Sequence, residues 1–480
     1  MRNERTSRLA VSLYVVVLRS PLAIHRSVMY LTDDENARQS RRSPPVAGRP
    51  SPAVSASLLL LVAVAAAYVA AHVVFDWVAR RFLIVSAAEY LLLGVLLGPQ
   101  VAGIVGKPLL DSLAPVLTLA LGWMGAIVGT QFELRRLLEI PAVRYRVAFA
   151  ESFATCLVVG GLEFLVLRWT LDASIDIAAS AGVAFGALAV VSSSTGIGVV
   201  SDILKARGAV LEQLKLSSSV NGFVGIAVLG LLFCIQHAAV PAERPLTPTE
   251  WAVVSIALGV IGGALFHLFI GDAPQPDRLF IALAGGVVLV SGAATYLRLS
   301  PLFAGFFFGL TLVNSMAKPD ALVDALHRVE QPLYYILLVF GGAAWEPSQN
   351  SWLAPVAIFV IARAASKIGG ARLAARANGA LPKLGMNWGR ALLGQGRLAL
   401  AIGLNFLHQN DIGFRNIVFT AAVVSILLTE FFTARLARFA IEEAPDQAVA
   451  IGGFSLMNDV SHDAAAPTSA TSGASSPETP

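Results

Sequence analysis

The chain has 480 residues, of which 56% are hydrophobic and only 14% are charged, and its mean hydropathy is +0.70. Soluble domains carry roughly a quarter of charged residues, so the composition excludes an ordinary soluble globular protein. The basic residues behind the net charge of +4 are scattered over short loops, which is typical of membrane topology signals and argues against a nucleic-acid partner.

Residues 1–52 form an arginine-rich stretch with one weak apolar run, 9–24, which Arg19 interrupts. The run is too short to cross a hydrocarbon core about 30 Å thick. We expect residues 1–52 to be a disordered leader and assign no function to it. A signal-like segment that is not cleaved, an interfacial helix and a start site placed too far upstream remain alternatives, with Met29 as an internal candidate start.

Apolar runs near 20 residues long repeat over residues 53–440 and predict one transmembrane domain of about thirteen helices, an all-α polytopic membrane protein. Residues 441–480 follow as a polar, low-complexity segment, which we expect to be a disordered cytoplasmic tail. The predicted spans are 54–74, 83–106, 112–131, 146–168, 177–201, 215–235, 251–270, 278–296, 301–315, 332–345, 352–371, 388–408 and 415–438.

Lys and Arg residues are distributed unequally between the alternate loops of these spans, with eighteen on one side and five on the other. Because positively charged loops stay in the cytoplasm during insertion, the pattern predicts a multi-pass protein of the cell (inner) membrane with a cytoplasmic C-terminus. The leader is the one segment that disagrees, since its nine arginines would lie outside.

Three basic residues, Arg363, Lys367 and Arg397, fall inside predicted spans rather than in loops. A charge at this depth costs about 2.5–3.5 kcal/mol on insertion scales unless it is paired or hydrated. Arg363 and Lys367 are four residues apart, which places them on one face of a helix. Lys367 is close enough to the cytoplasmic end for its amine to snorkel, whereas Arg363 lies deeper.

Two predicted spans are interrupted by polar and glycine residues near their middle. The span 177–201 contains SSSTGIG, and the span 388–408 contains GQGR with Arg397 at the interruption. Irregular backbone is tolerated at membrane depth only beside a cavity or within protein. Interrupted helices in corresponding halves of a chain point to a substrate site between inverted repeats. Close helix packing by Gly and Ser is the alternative explanation.

Acidic residues are scarce within the spans, and none occurs between positions 213 and 242. Glu151 is the best candidate to pair with Arg363, Lys367 or Arg397, and a solvated position at a helix end is its alternative. For Glu163 and Glu430 we expect structural ion pairs, and Glu89 is expected to cap or pack. Cys156 and Cys234 have no neighbours at metal-ligand spacing, so we expect no metal site. We find no nucleotide-binding, zinc-protease or hydrolase motif in a supporting context, so we expect no cofactor and no enzymatic activity.

Five motifs together resemble the monovalent cation:proton antiporter superfamily, which has the sodium/hydrogen exchanger fold, over essentially residues 54–440. Their order and spacing carry the resemblance more than any one of them. They are SAAEYLLLGVLLGP (86–99), VSSSTGIGVV (191–200), LSSSVNGFVGIAVLGLLF (216–233), ARAASKIGG (362–370) and GQGRLALAIG (394–403).

The resemblance implies a homodimer in which a core domain moves like an elevator against a dimerisation domain and exchanges sodium or potassium for protons. It also implies an ion site at the two interrupted helices. Oxygen atoms of Ser194, Thr195 and Asn221 would face the ion there. The coupling residues would include Arg363, Lys367, Gln395 and Arg397, and from the sequence itself Glu151 is the candidate acid to act with them.

One position departs from the family. The family carries Asp-Asp or Asn-Asp where this chain carries Asn221 and Gly222, and the second Asp is the carboxylate that takes either the cation or the proton. Two other functions therefore stay open beside antiport. The chain could be a family member that no longer exchanges ions and acts as a membrane sensor or regulatory subunit, or it could transport a small anion.

Overall fold

A computed structural model describes residues 88–204, 208–238, 246–271, 276–316, 319–347, 352–409 and 414–443. These residues are mainly helical, and no strand occurs among them. The leader, the predicted first span at 54–74 and the tail from residue 444 onward lie outside the described residues. The all-α fold expected from the sequence is confirmed.

The helices are numbered in chain order. Those of the first half are α1 (Ala88–Leu97), α2 (Lys107–Ser112), α3 (Ala114–Thr130), α4 (Leu134–Leu138), α5 (Ala142–Thr170), α6 (Ile175–Val190), α7 (Ser194–Leu204) and α8 (Ala209–Ala238). Those of the second half are α9 (Pro248–Ile270), α10 (Pro276–Tyr296), α11 (Pro301–Ser315), α12 (Pro319–Ala344), α13 (Leu353–Ala377), α14 (Leu381–Leu384), a 3₁₀ helix (Trp388–Leu393), α15 (Arg397–Gln409) and α16 (Arg415–Glu442).

Five of these helices, α5, α8, α9, α10 and α13, are long and apolar enough to cross a bilayer, with lengths between 19 and 30 residues. Their outward side chains are apolar, for example Leu157, Ile261 and Leu268, as expected for helices that face lipid. The chain is therefore a multi-pass membrane protein. The count of thirteen spans remains a prediction.

The helices pack in two groups. In the first, α5 packs against α6, α8 and α13, and α16 packs against α15 and the 3₁₀ helix. In the second, α11 packs against α3 and α9, and α12 packs against α1. In chain order, the interrupted helix α6–α7 lies between the long helices α5 and α8 of the first group. The second interrupted helix, made of the 3₁₀ helix and α15, lies between α13 and α16.

Helices α3 and α11 pack very closely, because glycines remove the side chains that would separate the backbones. A Cβ atom at Gly129 would lie 2.1 Å from the carbonyl oxygen of Phe306, and one at Gly309 would lie 2.1 Å from that of Ala126. Membrane helices associate through such small residues because the lipid provides no hydrophobic drive.

Replacing Gly129 by alanine is expected to lower the free energy of unfolding by about 1–3 kcal/mol, because an added methyl group must force a packed backbone apart. Thermal unfolding of the purified protein in detergent measures the effect. Gly161→Ala is the matched control, since a Cβ there meets no atom within 4 Å. Equal melting temperatures for both variants would contradict the packing described.

Two predicted boundaries differ most from the structure. The helix predicted at 332–345 begins thirteen residues earlier, at Pro319, and continues through Pro332. Its first part is amphipathic, with Leu322 and Leu326 buried, and a hydropathy window does not register such a segment. Arg328, which precedes the predicted span, therefore lies within α12. The span predicted to reach residue 106 ends at Leu97, before a turn.

Candidate functional site

The first interruption separates α6 from α7. Helix α6 ends at Val190, and Val191 adopts an extended conformation, with φ −61° and ψ 134°. Three consecutive serines follow, and the third of them, Ser194, begins α7. Serine side chains compete with the helix for backbone hydrogen bonds, which favours such a break.

The second interruption separates the 3₁₀ helix from α15, and it touches the first. Gly394 leaves the 3₁₀ helix with φ −57° and ψ 130°. Its carbonyl oxygen accepts a hydrogen bond of 2.8 Å from the backbone N–H of Ser193. The hydroxyl of Ser192 donates to the carbonyl oxygen of Leu392, also at 2.8 Å. The prediction of two broken helices that cross is thereby confirmed.

Arg363 on α13 binds the backbone carbonyl groups at the C-terminal ends of the two half-helices that precede the interruptions, α6 and the 3₁₀ helix. Its guanidinium donates to the carbonyl oxygens of Ala189 at 3.1 Å, Val191 at 2.8 Å and Leu393 at 2.6 Å. The last carbonyl groups of a helix have no partner within the helix, and the helix dipole favours a cation there. Arg363 is buried, and its charge is therefore used to hold the crossing together.

Lys367, one turn further along α13, lies beside Arg363 at the same helix end. Its ammonium donates to the carbonyl oxygen of Val190 at 2.5 Å and lies 2.9 Å from Oε1 of Glu151 on α5. Both side chains of this ion pair are fully buried. The interpretations that the Lys367 amine snorkels to the membrane surface and that Glu151 lies at a solvated helix end were therefore wrong. Glu151 pairs with Lys367, one of the three cations that the sequence analysis named as its possible partners.

The second oxygen of the Glu151 carboxylate is not satisfied. Thr155 donates to Oε1 at 3.1 Å, whereas Oε2 has no hydrogen-bond partner among the described residues. A buried polar atom without a partner costs about 1–3 kcal/mol. The acid is therefore held at one oxygen and keeps a free acceptor at the other.

Asn221 on α8 is fully buried, and its side chain is hydrogen-bonded to the first interruption. Its amide oxygen accepts from the hydroxyl of Ser152 at 2.5 Å, and its amide nitrogen donates to the hydroxyl of Ser192 at 3.1 Å. Ser218, also on α8, donates to the carbonyl oxygen of Ser192 at 3.2 Å. The amide of Asn221 thus binds hydroxyl groups of the protein at both of its polar ends.

Gln395 lies within the second interruption, and its side chain reaches the first. Its amide nitrogen donates to the carbonyl oxygen of Leu188 at 3.1 Å, and its amide oxygen accepts from the hydroxyl of Ser425. The backbone N–H of Gln395 donates to the hydroxyl of Thr429 at 3.3 Å. Gln395 therefore ties both interruptions to α16.

A cavity of about 40 Å³ lies at the start of α7 and α15. One water molecule needs roughly 10–15 Å³ by this measure, so the cavity can hold a small hydrated ligand. Its lining combines polar residues of the crossing with Gln131, at the end of α3, and Glu330 on α12, and with apolar residues. The lining residues are Met124, Ile127, Val128, Gln131, Ser192, Ser193, Ser194, Ser218, Gly222, Glu330, Gly396, Arg397 and Leu398.

Arg397 faces this cavity and is less deeply buried than Arg363 or Lys367. Its guanidinium lies 2.5 Å from Oε1 of Glu330 on α12 and 5.4 Å from the ring centre of Tyr334. The other carboxylate oxygen of Glu330 lies 2.5 Å from Nδ1 of His327. Glu330 was missed by the sequence analysis because it precedes the predicted span.

Comparison with known proteins identifies the architecture. No protein-family model matches the chain, and no curated protein matches it. The structure of the sodium proton antiporter MjNhaP1 from Methanocaldococcus jannaschii at pH 8 matches with a TM-score of 0.58 and 16% identity, over 80% of this chain and 99% of that one. An electron-microscopy map of the same antiporter matches with a TM-score of 0.56 and 16% identity, over 80% of this chain and 98% of that one.

The chain has the sodium proton antiporter fold. The similarity covers 80% of this chain, so the shared fold extends over most of it. The resemblance of the five sequence motifs to this fold is confirmed.

The remaining candidate residues are Ser194, Thr195, Glu89, Glu430 and Glu163. Ser194 lines the cavity, while Thr195 is in α7 with a side chain that lies outside the described residues, as do those of Glu89 and Glu430. The expected structural ion pair of Glu163 was wrong. That side chain is fully buried, and neither carboxylate oxygen has a hydrogen-bond partner in the part of the chain that the structure describes.

Proposed function

We propose that the chain is a secondary transporter that exchanges a monovalent cation, sodium or potassium, for protons across the cell membrane. The observation that carries the proposal is the crossing of two interrupted helices, hydrogen-bonded to each other through Ser193 and Gly394. Such a crossing brings backbone groups and charged side chains to the middle of a membrane protein, where an ion can be bound.

The charges around the crossing support an ion as the substrate. The carbonyl ends of both half-helices are held by Arg363 and Lys367, and Glu151 balances one of these two positive charges. The other two half-helices, α7 and α15, begin at the cavity. A buried arrangement with this many charges is costly in lipid and typical of transport pathways.

The grouping of the helices suggests how access would alternate. Helices α5–α8 and α13–α16 surround the crossing, whereas α1, α3, α9, α10, α11 and α12 pack beside them. We propose that the first group moves like an elevator against the second and carries the site from one face of the membrane to the other. A homodimer built on the second group is part of the same proposal.

Purified protein in sealed proteoliposomes with an internal pH dye tests the exchange. Adding sodium or potassium chloride outside vesicles of acidic interior is expected to raise the internal pH, and choline chloride is expected to have no effect. Proton movement that does not depend on any alkali cation, in vesicles shown to contain folded protein, would contradict cation:proton antiport.

One observation favours a small anion as a second candidate substrate. Arg397 and the first residues of α7 and α15 face the same cavity, and the N-terminal ends of helices attract negative charge. The proteoliposome assay separates the two functions if chloride is exchanged for nitrate or a larger organic anion at constant sodium. An anion-dependent signal without cation dependence would favour the anion transporter.

A further inference from the structure

An ion pair connects the two helix groups between which the proposed movement takes place. Arg397, at the start of α15, belongs to the group that would move, and Glu330, on α12, belongs to the group that would stay. Their closest atoms are 2.5 Å apart, and the side chains are 16% and 15% exposed. Because an ion pair holds only within about 4 Å, a movement of one group against the other by more than a few ångströms must break this contact.

The stationary half of the contact is built on one face of α12. Glu330 offers one carboxylate oxygen to Arg397, and its other oxygen lies 2.5 Å from Nδ1 of His327, three residues earlier. The ring of Tyr334, four residues later, lies under the same guanidinium, with its centre 5.4 Å away. Residues three and four apart share a helix face. The carboxylate thus keeps the contact with His327 when Arg397 leaves.

The moving half of the contact can leave at low cost. Arg397 lines the cavity of about 40 Å³ at the start of α15, which has room for water. A charge without water or a partner is costly at membrane depth. Because water in the cavity can hydrate the guanidinium, separation from Glu330 does not leave Arg397 in a dry environment.

The boundary beside this contact is apolar and offers no directional hold. A Cβ atom at Gly222 on α8 would lie 3.1 Å from Cδ2 of Leu398 and 3.4 Å from Cγ1 of Val128 on α3. Near the other end of α15, the amide of Asn405 donates to the hydroxyl of Ser300 at 2.7 Å, a neutral hydrogen bond. Contacts between charged groups are stronger than neutral ones, so the ion pair is better suited to hold α15.

We propose that Glu330 and Tyr334 form a latch for Arg397, which holds the moving group in the conformation described here and opens in each transport cycle. The proposal rests on the elevator movement of the proposed function and names a contact that controls it. The latch carries neither the cation nor the proton. It affects how long the protein stays in this conformation.

Pulsed electron paramagnetic resonance tests the latch without transport. Spin labels at Asp324→Cys on α12 and Arg376→Cys on α13 report the position of one group against the other, since both residues are exposed. The free cysteines, Cys156 and Cys234, are first replaced by alanine. The distances between the labels are measured in lipid nanodiscs without alkali cation.

Glu330→Gln is expected to move the population toward a second distance. The ratio of the present conformation to the other should fall roughly two- to fivefold, the effect of losing a largely solvent-accessible ion pair. Glu133→Gln is the matched control, because Glu133 is 17% exposed and likewise pairs with an arginine, Arg136, within α4 and its N-cap. Equal distance distributions in Glu330→Gln and wild type, or the same shift in Glu133→Gln, would overturn the latch.

The ring of Tyr334 gives a second test that leaves the carboxylate intact. Tyr334→Leu removes the ring below the guanidinium and is expected to shift the distances in the same direction as Glu330→Gln. Tyr334→Phe keeps the ring and is expected to shift them less. A shift in Tyr334→Phe as large as that in Tyr334→Leu would remove the ring from the latch, and this pair of variants keeps the test decisive if Glu330→Gln does not fold.

Flux measurements separate the failure of the latch from that of antiport. In proteoliposomes, Glu330→Gln is expected to keep cation:proton exchange and to accelerate it by up to about fivefold, because leaving the present conformation no longer requires the pair to break. Folded Glu330→Gln without exchange, beside an active wild type, would overturn the latch and leave antiport standing. A wild type without exchange would refute antiport, whereas a shift of the distances by Glu330→Gln in the same protein would still support the latch.

Discussion

Lys367→Ala is expected to destabilise the folded protein by about 3–5 kcal/mol, the usual cost of removing one partner of a buried ion pair, and to abolish cation-dependent proton movement. The substitution leaves the Glu151 carboxylate without its counter-charge and the carbonyl oxygen of Val190 without its donor. Thermal unfolding in detergent measures the stability, and proteoliposomes with a pH dye measure the exchange. Glu151→Gln is expected to abolish exchange as well.

A double variant separates the structural and functional parts of this effect. Glu151→Gln combined with Lys367→Met removes both charges, and it is expected to recover much of the stability while exchange stays absent. The exposed pair of Lys107 and Glu346 is the control, because such surface pairs contribute about 0–1 kcal/mol. Exchange at the wild-type rate in both single variants would reject a role for the buried pair.

Arg363→Ala is expected to have a comparable effect on stability, since three carbonyl oxygens at the two interruptions lose their donor together. Each buried group left without a partner costs about 1–3 kcal/mol, so the sum is several kcal/mol. Arg363→Lys keeps the charge but not the planar set of donors, and we expect an intermediate melting temperature and slower exchange.

Arg372→Ala is the control for Arg363, because it lies on the same helix but is exposed and makes one long hydrogen bond, 3.4 Å, to the carbonyl oxygen of Met386. Its melting temperature is expected to match the wild type. If Arg363→Ala melts as high as Arg372→Ala, the guanidinium does not hold the two interruptions together.

The sequence predicts much of this fold because membrane depth leaves strong patterns. Long apolar runs identify α5, α8 and α13, and polar residues within such runs identify the two interruptions, since few other reasons place serines there. The long apolar runs also made Arg363 and Lys367 conspicuous. Their partners at the interruptions were not predictable, because spacing along one helix says nothing of which carbonyl groups of another helix lie within reach.

The cavity was harder to predict than the crossing. Glu330 belongs to the amphipathic first part of α12, which looks like a loop when only mean hydropathy is considered. The 3.6-residue spacing of its buried leucines was present in the sequence and identifies a helix. The pairing of Glu330 with Arg397 brings together α12 and α15, and that contact depends on packing that no local pattern encodes.

The hydrogen bonds between the two interruptions also constrain how the protein is made. Ser192 finds its acceptor, Leu392, 200 residues later in the chain. At a synthesis rate of about 5–20 residues per second, Leu392 is synthesised on the order of 10–40 s after Ser192. During that time Ser192 can bind Asn221 and Ser218 of α8 but not its acceptor at Leu392, so the contact between the two interruptions forms only after the second half has emerged.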